Sequence, residues 1–268
     1  MSGAFRGCNL CGAGDPSLLF LKNGFSMVQC RHCDLVYVGE EPAAIDFAAL
    51  YDEAYYTGGS EQVFANYIGE EQSRRAWARR KLWGIRLRHA HGRLLDVGCA
   101  AGFFLIEAQR HYEVQGVEFS EFSSSFAREK MGLNVFTGTL QQAALPANHF
   151  DIITLWDVIE HVPDPLALLG EAARLLKPGG ELLLTTGDIA SRHARERGNE
   201  WPLFEPPWHL YYFSRQTMRA MAERAGLHYA GCTSRGVWSS HPLLRNRIAI
   251  IATNLLGLGD IMQIRFRK

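Results

Sequence analysis

The sequence predicts an α/β protein whose main body is a doubly wound parallel sheet, with a small metal-binding module in front of it. Two observations indicate this class. Between residues 93 and 187, apolar runs alternate with segments of helical spacing, and near the start four cysteines form two C-x-x-C pairs. Alternating strands and helices are typical of a parallel sheet that helices cover on both faces. At 268 residues, the chain is long enough to bury a sizeable core.

Five apolar runs predict the strands of this sheet, at residues 93–98, 113–118, 134–138, 150–157 and 181–187. The fourth run, FDIITLWD, is almost wholly apolar, as a strand covered on both faces should be. The helical segments are FFLIEAQR, SEFSSSFAREKMG and PLALLGEAARLLKPGG, and the second of them starts at a serine cap and ends at a glycine. Ligands bind at the carboxyl ends of such strands, so we expect the site after the first strand.

The cysteine module pairs Cys8 with Cys11 and Cys30 with Cys33, and 18 residues separate the two pairs. Each pair turns two thiolates toward one point, and zinc takes four such ligands in a tetrahedron. The runs SLLFL and FSMVQ between the pairs predict two strands, so residues 1–45 are predicted to form a zinc ribbon. We expect a structural staple for a segment too short to build a core. Contact with a nucleic acid or a partner is the alternative.

The charge balance excludes several classes of protein. Lys plus Arg and Asp plus Glu number 28 each, and this zero net charge argues against DNA and RNA as partners. No run of 18 uncharged apolar residues occurs, so no transmembrane segment is predicted. The start, MSGAFRGC, lacks the apolar core of a signal peptide. We therefore expect a cytoplasmic protein with reduced thiols, in which cysteine pairs bind metal.

The loop after the first strand carries the main functional signal, a D-x-G-x-x-x-G pattern from Asp96 through Gly98 to Gly102. Glycine lets the backbone pass close to a ligand. Glu118 ends the second strand, 20 residues after Gly98, where a carboxylate can accept hydrogen bonds from both hydroxyls of a ribose. Together they predict a site for a nucleoside cofactor. Ala100 interrupts the G-x-G-x-x-G dinucleotide pattern, which argues against a nicotinamide dehydrogenase.

Four segments, LLDVGCAAGFF, GVEFS, FDIITLWDVIEHVPDP and LLKPGGELLLTT, resemble the class I S-adenosylmethionine-dependent methyltransferases. The resemblance implies a Rossmann-like sheet of seven strands with an antiparallel last strand, and GDIMQIRFRK looks like the end of that sheet. It divides the chain into a zinc ribbon at 1–45, a helical cover at 46–90 and a methyltransferase domain at 91–268 with a lid insert at about 188–212. The apolar run RNRIAIIATNLLGLG is expected to be a core helix, with a membrane-surface helix as the alternative.

The same resemblance implies S-adenosylmethionine as the methyl donor and S-adenosylhomocysteine as the product. The glycine loop would face the methionine moiety, the strand-end glutamate would bind the ribose, and the next residue would pack near the adenine. A T-G-T-L stretch would also lie near the adenine, and the end of the fourth strand near the sulfonium. The implied cofactor residues are Asp96, Gly98, Cys99, Gly102, Glu118, Phe119, Thr139, Leu140, Trp156 and Asp157.

The front of the chain, with its cysteine pairs followed by LVYV and YDEAYYTGG, looks like the zinc-binding extension of a methyltransferase subgroup that acts on small molecules. We therefore expect methyl transfer to a small-molecule acceptor, at a hydroxyl oxygen of a sugar or natural product. Nitrogen and carbon acceptors stay open, because one fold serves all three. The alternatives are an RNA methyltransferase with the ribbon as reader, and a non-catalytic module that binds S-adenosylmethionine and a partner.

Two histidines are candidates for the base that a hydroxyl acceptor needs. His161 lies in D-V-I-E-H after the fourth strand, and His209 lies in EPPWHLYYFS, which resembles a segment over the active site. The alternative roles are that His161 packs a local turn and that His209 anchors the lid. Tyr55 and Tyr56, in the helical cover, are expected to face the site and help to exclude water.

Two further features concern the acceptor. Eight basic residues and no acid lie between Arg74 and Arg93. Such a run is typical of a solvated helix face. The alternative and more specific interpretation is that it contacts a phosphate-bearing or carrier-linked acceptor. In the lid insert, Trp201, Phe204 and Trp208 could form a wall of the acceptor pocket or anchor the insert. The sequence leaves the oligomeric state open.

Overall fold

The computed structural model describes residues 5–58, 66–235 and 259–268. The run RNRIAIIATNLLGLG lies outside them except for its last residue. The strands are β1 (Ser17–Lys22), β2 (Phe25–Gln29), β3 (Val36–Val38), β4 (Arg93–Val97), β5 (Glu113–Glu118), β6 (Val135–Thr137), β7 (Phe150–Trp156), β8 (Leu176–Gly187), β9 (Tyr211–Tyr212), β10 (His228–Arg235) and β11 (Ile261–Arg267). The α-helices are α1 (Phe47–Leu50), α2 (Glu53–Thr57), α3 (Glu71–Arg86), α4 (Phe103–Ala108), α5 (Glu121–Glu129), α6 (Pro165–Leu175), α7 (Arg192–Arg197) and α8 (Arg215–Arg224).

Side-chain caps fix where several of these helices begin. Ser120 accepts a hydrogen bond from the amide of Ser123 at the start of α5, and Ser214 forms a capping box with Thr217 at the start of α8. Such caps satisfy amides that have no partner inside the helix. No helix among the described residues has both the length and the apolar character to cross a bilayer.

A seven-stranded sheet has the strand order β10-β11-β8-β7-β4-β5-β6. Its centre is parallel, because β4 pairs in parallel with both β5 and β7, and β5 pairs in parallel with β6. The pair β10 and β11 is antiparallel. The predicted sheet of seven strands with an antiparallel last strand is therefore confirmed. From β4 the chain adds β5 and β6 on one side of the sheet and β7 and β8 on the other. The point at which the order switches sides therefore lies at β4, beside the glycine loop that follows this strand.

The chain divides into two compact units. The first comprises Met1–Ile45, Asp157–Gly170 and Leu183–Arg267. The second comprises Asp46–Trp156, Glu171–Leu182 and Lys268.

In the first unit, the cysteine module and the insert share one antiparallel sheet with the order β1-β2-β3-β9. The predicted strands SLLFL and FSMVQ correspond to β1 and β2. β9, which comes from the predicted lid, pairs Tyr212 with Val36 of β3. Buried Arg6 donates from Nε to the carbonyl of Val38 at 2.7 Å and from Nη1 to the hydroxyl of Tyr211 at 2.9 Å. Backbone pairing and this arginine therefore hold the insert to the cysteine module.

In the second unit, Glu107 of α4 joins α3 through ion pairs. Its side chain is 1% exposed and accepts from Arg75 Nε at 2.7 Å and from Arg79 Nη1 at 3.1 Å. Arg110 Nη1 lies 3.3 Å from its other carboxylate oxygen. Burial alone would raise the pKa of Glu107, but these three arginines lower it below its ordinary value.

We expect Glu107→Gln to destabilise the protein by about 2 to 3 kcal/mol, less than a fully buried pair would cost because the arginines are partly exposed. Urea unfolding measures it, with the exposed Glu129→Gln as the control. Because the folded-state pKa lies below the ordinary one, the stabilisation is present above that ordinary pKa and is lost as the pH falls. The difference between wild type and variant should therefore shrink below a pH of about 4. Equal stability of the wild type and Glu107→Gln at neutral pH would show that the Glu107 ion pairs do not stabilise the fold.

Candidate active site

The glycine loop at the end of β4 makes a sharp bend. Gly98, Ala100 and Gly102 have φ angles of 69°, 47° and 79°. This left-handed region suits glycine and is strained for alanine, so the surrounding structure must hold Ala100 in place. Strained residues of this kind concentrate at ligand sites. Gly102 is also close-packed, because a Cβ atom there would collide with the Leu133 side chain.

We expect Gly102→Ala to cost about 1 to 3 kcal/mol, since it combines left-handed strain with a collision in the core. The binding of S-adenosylhomocysteine should weaken with it, because the bend has to shift. Gly170→Ala is the matched control. It lies in α6 with no atom within 4 Å of the added methyl group, and it should be neutral or stabilise by up to about 1 kcal/mol. Urea unfolding compares the two, and a Gly102 variant as stable as the Gly170 variant would rule out a packed bend.

Asp96 lies at the base of the loop and is 2% exposed. Thr154 of β7 donates from Oγ1 to its carboxyl at 2.6 Å, because the parallel register places Thr154 directly opposite. Burial raises the pKa of Asp96 to about 8, although this hydrogen bond opposes the rise. A cation in the pocket would favour the ionised form. Asp96 is therefore suited to face a positively charged group.

Glu118 ends β5 and lies at the same bend, with 6% of its surface exposed. One carboxylate oxygen accepts from the amide of Ala100 at 2.8 Å, and the other accepts from the amide of Ser120 at 2.9 Å. Burial raises the pKa of Glu118 above its ordinary value, and the two amides oppose this rise. The structure thus brings the predicted ribose-binding carboxylate to the predicted glycine loop.

The cover segment packs against this carboxylate in the second unit. The Ser120 hydroxyl donates to the Tyr51 carbonyl at 2.7 Å. Tyr56 is buried, and the Glu118 charge contributes, after burial, to a strongly raised pKa of its hydroxyl. Tyr55, the other tyrosine predicted to face the site, packs edge-on against Tyr56 with ring centroids 5.0 Å apart. Tyr56 is therefore the cover residue that the structure places beside Glu118.

Tyr67 is a further aromatic residue of the predicted helical cover. Its ring stacks on Phe103 with centroids 5.6 Å apart, and the guanidinium carbon of Arg74 lies 3.7 Å from the centroid of the Tyr67 ring. Burial raises the pKa of the Tyr67 hydroxyl; the charge of Arg74 opposes this rise, and the charges of Asp96 and Glu118 add to it. Tyr67 therefore contacts both an aromatic residue that follows the glycine loop and an arginine of α3, and a search for local motifs does not reveal these contacts.

Two of the remaining cofactor candidates, Cys99 and Phe119, belong to the glycine loop and to the residue after Glu118. Cys99 is buried, and burial together with the charges of Glu118 and Asp96 raises the pKa of its thiol well above the usual value. It is therefore a packing residue rather than a nucleophile. Phe119 exposes 46% of its surface, so its ring is available to a ligand.

Two further candidates lie in the turn after β6. The amide of Thr139 donates to the side chain of Gln142 at 2.8 Å, and the amide of Gln142 donates back to the Thr139 hydroxyl at 3.3 Å. Leu140, between them, is buried. The turn is therefore held by its own reciprocal hydrogen bonds.

Trp156, the last residue of β7, belongs to an aromatic group in the second unit. Its ring lies 5.4 Å from those of both Trp77 and Phe104, and Lys81 Nζ lies 5.2 Å from its centroid. Its indole nitrogen is buried without a hydrogen-bond partner among the described residues. A buried donor in this state is suited to a ligand's acceptor atom.

The two candidate bases meet in the first unit. The rings of His161 and His209 lie 4.6 Å apart between centroids. Nδ1 of His161 donates to the Trp208 carbonyl at 2.9 Å, and Nδ1 of His209 donates to the Leu203 carbonyl at 2.7 Å. Both histidines therefore anchor backbone of the insert, which was the alternative role for His209.

Burial also fixes the protonation of these rings. It lowers the pKa of His161 to about 3, with the neighbouring His209 as a second cause, and it lowers the pKa of His209. Both imidazoles are thus neutral near pH 7. Glu160 beside them has its pKa raised to about 8 by burial and by the charge of Asp157. Asp157 itself has a φ of 55°, another strained left-handed residue.

The aromatic residues of the insert are mainly buried anchors. Trp201 is 1% exposed and donates from Nε1 to Asp260 at 3.3 Å. Phe204 packs edge-on against Trp201 and against Phe20 of β1. Trp208 has a buried indole nitrogen without a hydrogen-bond partner in the described part of the chain. Trp208 is therefore the member of the predicted acceptor wall that still offers a donor.

The four cysteines of the ribbon converge as the spacing predicts. Sγ of Cys8 lies 3.5 Å from Sγ of Cys33, and Sγ of Cys11 lies 3.4 Å from Sγ of Cys30. A tetrahedral zinc with Zn–S bonds of about 2.3 Å needs sulfur atoms about 3.8 Å apart. Burial raises the pKa of Cys8 to about 11, whereas the amides of His32 and Cys33 outweigh burial and lower that of Cys30 to about 7. The residues therefore fit zinc, and a cation would hold all four as thiolates.

The basic run of α3 and the following residues pairs with carboxylates of the chain itself. The pairs are Arg74–Glu70, Arg75–Glu71, Arg75–Glu107, Arg79–Glu107, Arg88–Glu181 and Arg93–Glu113. Internal pairing thus accounts for most of this run.

Comparison with known proteins identifies the family of the chain. A family model described as a methyltransferase domain matches residues 70–230. The ubiquinone biosynthesis O-methyltransferase of Coxiella burnetii is 34% identical over 108 residues, which are 38% of this chain and 45% of that protein. The ubiquinone biosynthesis O-methyltransferase of Hahella chejuensis is 27% identical over 158 residues, 51% of this chain and 66% of that protein. The chain therefore spans about half to two thirds of the length of these relatives.

Among solved structures, an S-adenosylmethionine-dependent methyltransferase of Thermotoga maritima has a TM-score of 0.55 at 24% identity, covering 75% of this chain and 94% of that one. At this identity the likeness is one of fold. The family model, in contrast, matches more than half of the chain and includes both the glycine loop and Glu118. The chain therefore belongs to the S-adenosylmethionine-dependent methyltransferases.

Proposed function

We propose that this protein transfers the methyl group of S-adenosylmethionine to a hydroxyl oxygen of a small molecule. The observation that carries the proposal is the buried carboxylate of Glu118 at the strained bend from Gly98 to Gly102. A carboxylate at this position can accept both hydroxyls of a ribose, and the bend leaves room for the backbone to approach a ligand.

Different residues at and near the bend bind different parts of the cofactor. We infer that Glu118 accepts the ribose hydroxyls in exchange for the Ala100 and Ser120 amides that it now holds. Asp96 faces the cationic methionine portion, with Gly98, Cys99 and Gly102 forming the backbone cradle. Phe119, Thr139 and Leu140 lie toward the adenine, and Trp156 and Asp157 toward the sulfonium. When bound, the cofactor supplies an activated methyl group.

The protein then has to position the acceptor and exclude water, which can contribute several kcal/mol to the rate. Tyr56 and Tyr67 are suited to closing the cofactor side, because the Glu118 charge adds to the rise in the pKa of both hydroxyls and Tyr67 stacks on Phe103 directly after the glycine loop. For the acceptor's proton we propose the neutral histidines His209 and His161. They are held in one tautomer by backbone carbonyls, as a base requires.

The acceptor class follows from two features. The internal pairing of the arginines between Arg74 and Arg93 favours a small molecule over an RNA strand. The matched relatives are named as O-methyltransferases of ubiquinone biosynthesis, so phenolic hydroxyls join sugar hydroxyls as acceptors worth testing. We propose a structural zinc in the four-cysteine ribbon, which leaves no open coordination position for chemistry.

Methyl transfer from labelled S-adenosylmethionine to a panel of nucleotide-linked sugars and catechols tests the proposal. We expect transfer to one class, together with formation of one S-adenosylhomocysteine per methyl group. Binding of S-adenosylhomocysteine without any transfer across the panel would favour a non-catalytic module. Absence of binding by folded protein would overturn the proposal.

A further inference from the structure

The strongest unassigned feature is a buried cluster in the first unit formed by Glu160, His161 and His209. One ligand atom from each residue lies within 4.8 Å of the ligand atoms of the other two. Glu160 comes from the turn after β7, whereas His209 comes from the insert just before β9. Two imidazoles and one carboxylate converging on one point form a recognised ligand set for divalent transition metals.

The hydrogen bonds of the two rings are those of metal-binding histidines. Because a carbonyl oxygen can only accept, Nδ1 of His161 and Nδ1 of His209 both carry hydrogen. In a neutral ring the lone pair then resides on Nε2. Ligating histidines are commonly oriented in this way, with the second nitrogen donating to a backbone carbonyl. The carbonyls of Trp208 and Leu203 thus hold both rings in the orientation that a metal needs.

The carboxylate of Glu160 is the second observation. It is 5% exposed, and its Oε2 atom is buried without a hydrogen-bond partner among the described residues. The backbone carbonyl of Glu160 accepts from the amide of Leu210 at 2.8 Å, so the residue is fixed next to the insert. A buried carboxylate oxygen without a partner is costly unless a proton or a cation compensates it.

Space for an ion is present beside these groups. A cavity of about 10 Å³ is lined in part by Glu160, Thr186, His209 and Tyr212. That volume is about one water-sized sphere. Two of the three clustered residues, Glu160 and His209, line this space, so an oxygen ligand could reach an ion held by the cluster, as in zinc sites that keep a fourth, open position.

We propose that Glu160, His161 and His209 bind one zinc ion, in a site separate from the four-cysteine ribbon and with an open position for an oxygen ligand. The metal site depends only on these residues. Its consequence for catalysis rests on the proposed function: a hydroxyl oxygen bound at the open position would lose its proton more readily, so the two histidines would promote the loss of the acceptor's proton through the metal that they hold.

The metal content of the intact protein tests the site without reference to activity. Zinc-depleted protein is titrated with ZnCl2, desalted and analysed, with MnCl2 and FeSO4 as parallel arms. We expect two zinc ions per chain in the wild type and one in His209→Ala, whose affinity for the second ion should fall at least about 100-fold, since even loss of an outer partner costs about 10- to 100-fold. The exposed His228→Ala is the control and should keep two.

If His209→Ala fails to fold, X-ray absorption spectroscopy of the zinc-loaded wild-type protein tests whether the second zinc site exists. We expect sulfur ligands at about 2.3 Å and a second population of nitrogen and oxygen ligands at about 2.0–2.1 Å. A single zinc per chain with only sulfur ligands, and no second ion of the three metals, would overturn the site and leave a proton shared within the cluster. That result would leave the binding of S-adenosylhomocysteine untouched, so failure of the metal site and failure of the proposed function are distinguishable.

Discussion

Replacing Glu118 by glutamine is expected to weaken S-adenosylhomocysteine binding by about 10- to 100-fold. Hydrogen bonds to a charged group contribute about 1.5–3 kcal/mol each, and about 1.4 kcal/mol corresponds to a tenfold change in Kd. Glutamine keeps the shape and one acceptor oxygen, so the Ala100 amide retains a partner. Glu118→Ala would leave the amides of Ala100 and Ser120 without a hydrogen-bond acceptor. A loss of affinity in that variant could then come from a disturbed fold as well as from the lost ribose contact. Calorimetric titration measures the change.

Glu113→Gln is the matched control for this prediction. Glu113 begins the same strand, β5, but its side chain is 71% exposed and pairs with Arg93 at the surface. We expect its affinity to stay within about twofold of the wild type, because exposed ion pairs contribute little. If the Glu118 and Glu113 variants bind S-adenosylhomocysteine with equal affinity, Glu118 does not bind the ribose.

Replacing Cys30 by serine is expected to release the ribbon zinc and to destabilise the first unit by several kcal/mol. Structural zinc contributes on the order of 10–16 kcal/mol to the folding of small modules, and each ligand carries a share of it. Cys30 is 1% exposed and follows β2, so its loss should also disturb the sheet that contains β3 and β9. Metal analysis should show one zinc fewer per chain, and thermal unfolding should occur at lower temperature.

Cys232→Ser serves as the comparison, because Cys232 lies in β10, does not belong to the cluster of four cysteines and is partly exposed. It should keep the zinc content and the unfolding temperature of the wild type. A Cys30 variant that retains the full zinc content would show that the four cysteines do not form a metal site.

Local patterns predicted the parts of the protein that depend on neighbouring residues. The strand, glycine bend and helix from Arg93 to Ala108 follow from an apolar run and two glycines, and the C-x-x-C pairs bring their own geometry. Glu118 was predictable because consecutive parallel strands end at the same edge of a sheet.

Contacts between distant residues were not predictable in this way. β9 has only two residues, which is too short to show the alternation of apolar and polar residues that predicts a strand. Its partner β3 also lies some 175 residues earlier in the chain. The ion pairs of Arg75 with Glu107 and of Arg88 with Glu181 were not predictable, because these glutamates lie far along the chain from the basic run. Both histidines were named as candidates from their motifs, but their convergence with Glu160 depends on the path of the insert.

A crystal structure of the protein with S-adenosylhomocysteine tests the cofactor site most directly. We predict that the ribose hydroxyls lie within hydrogen-bond distance of the Glu118 carboxylate and that the sulfur lies beside the bend from Asp96 to Gly102. A nucleoside bound elsewhere, with the Glu118 carboxylate still holding the amides of Ala100 and Ser120, would contradict the assignment of this pocket.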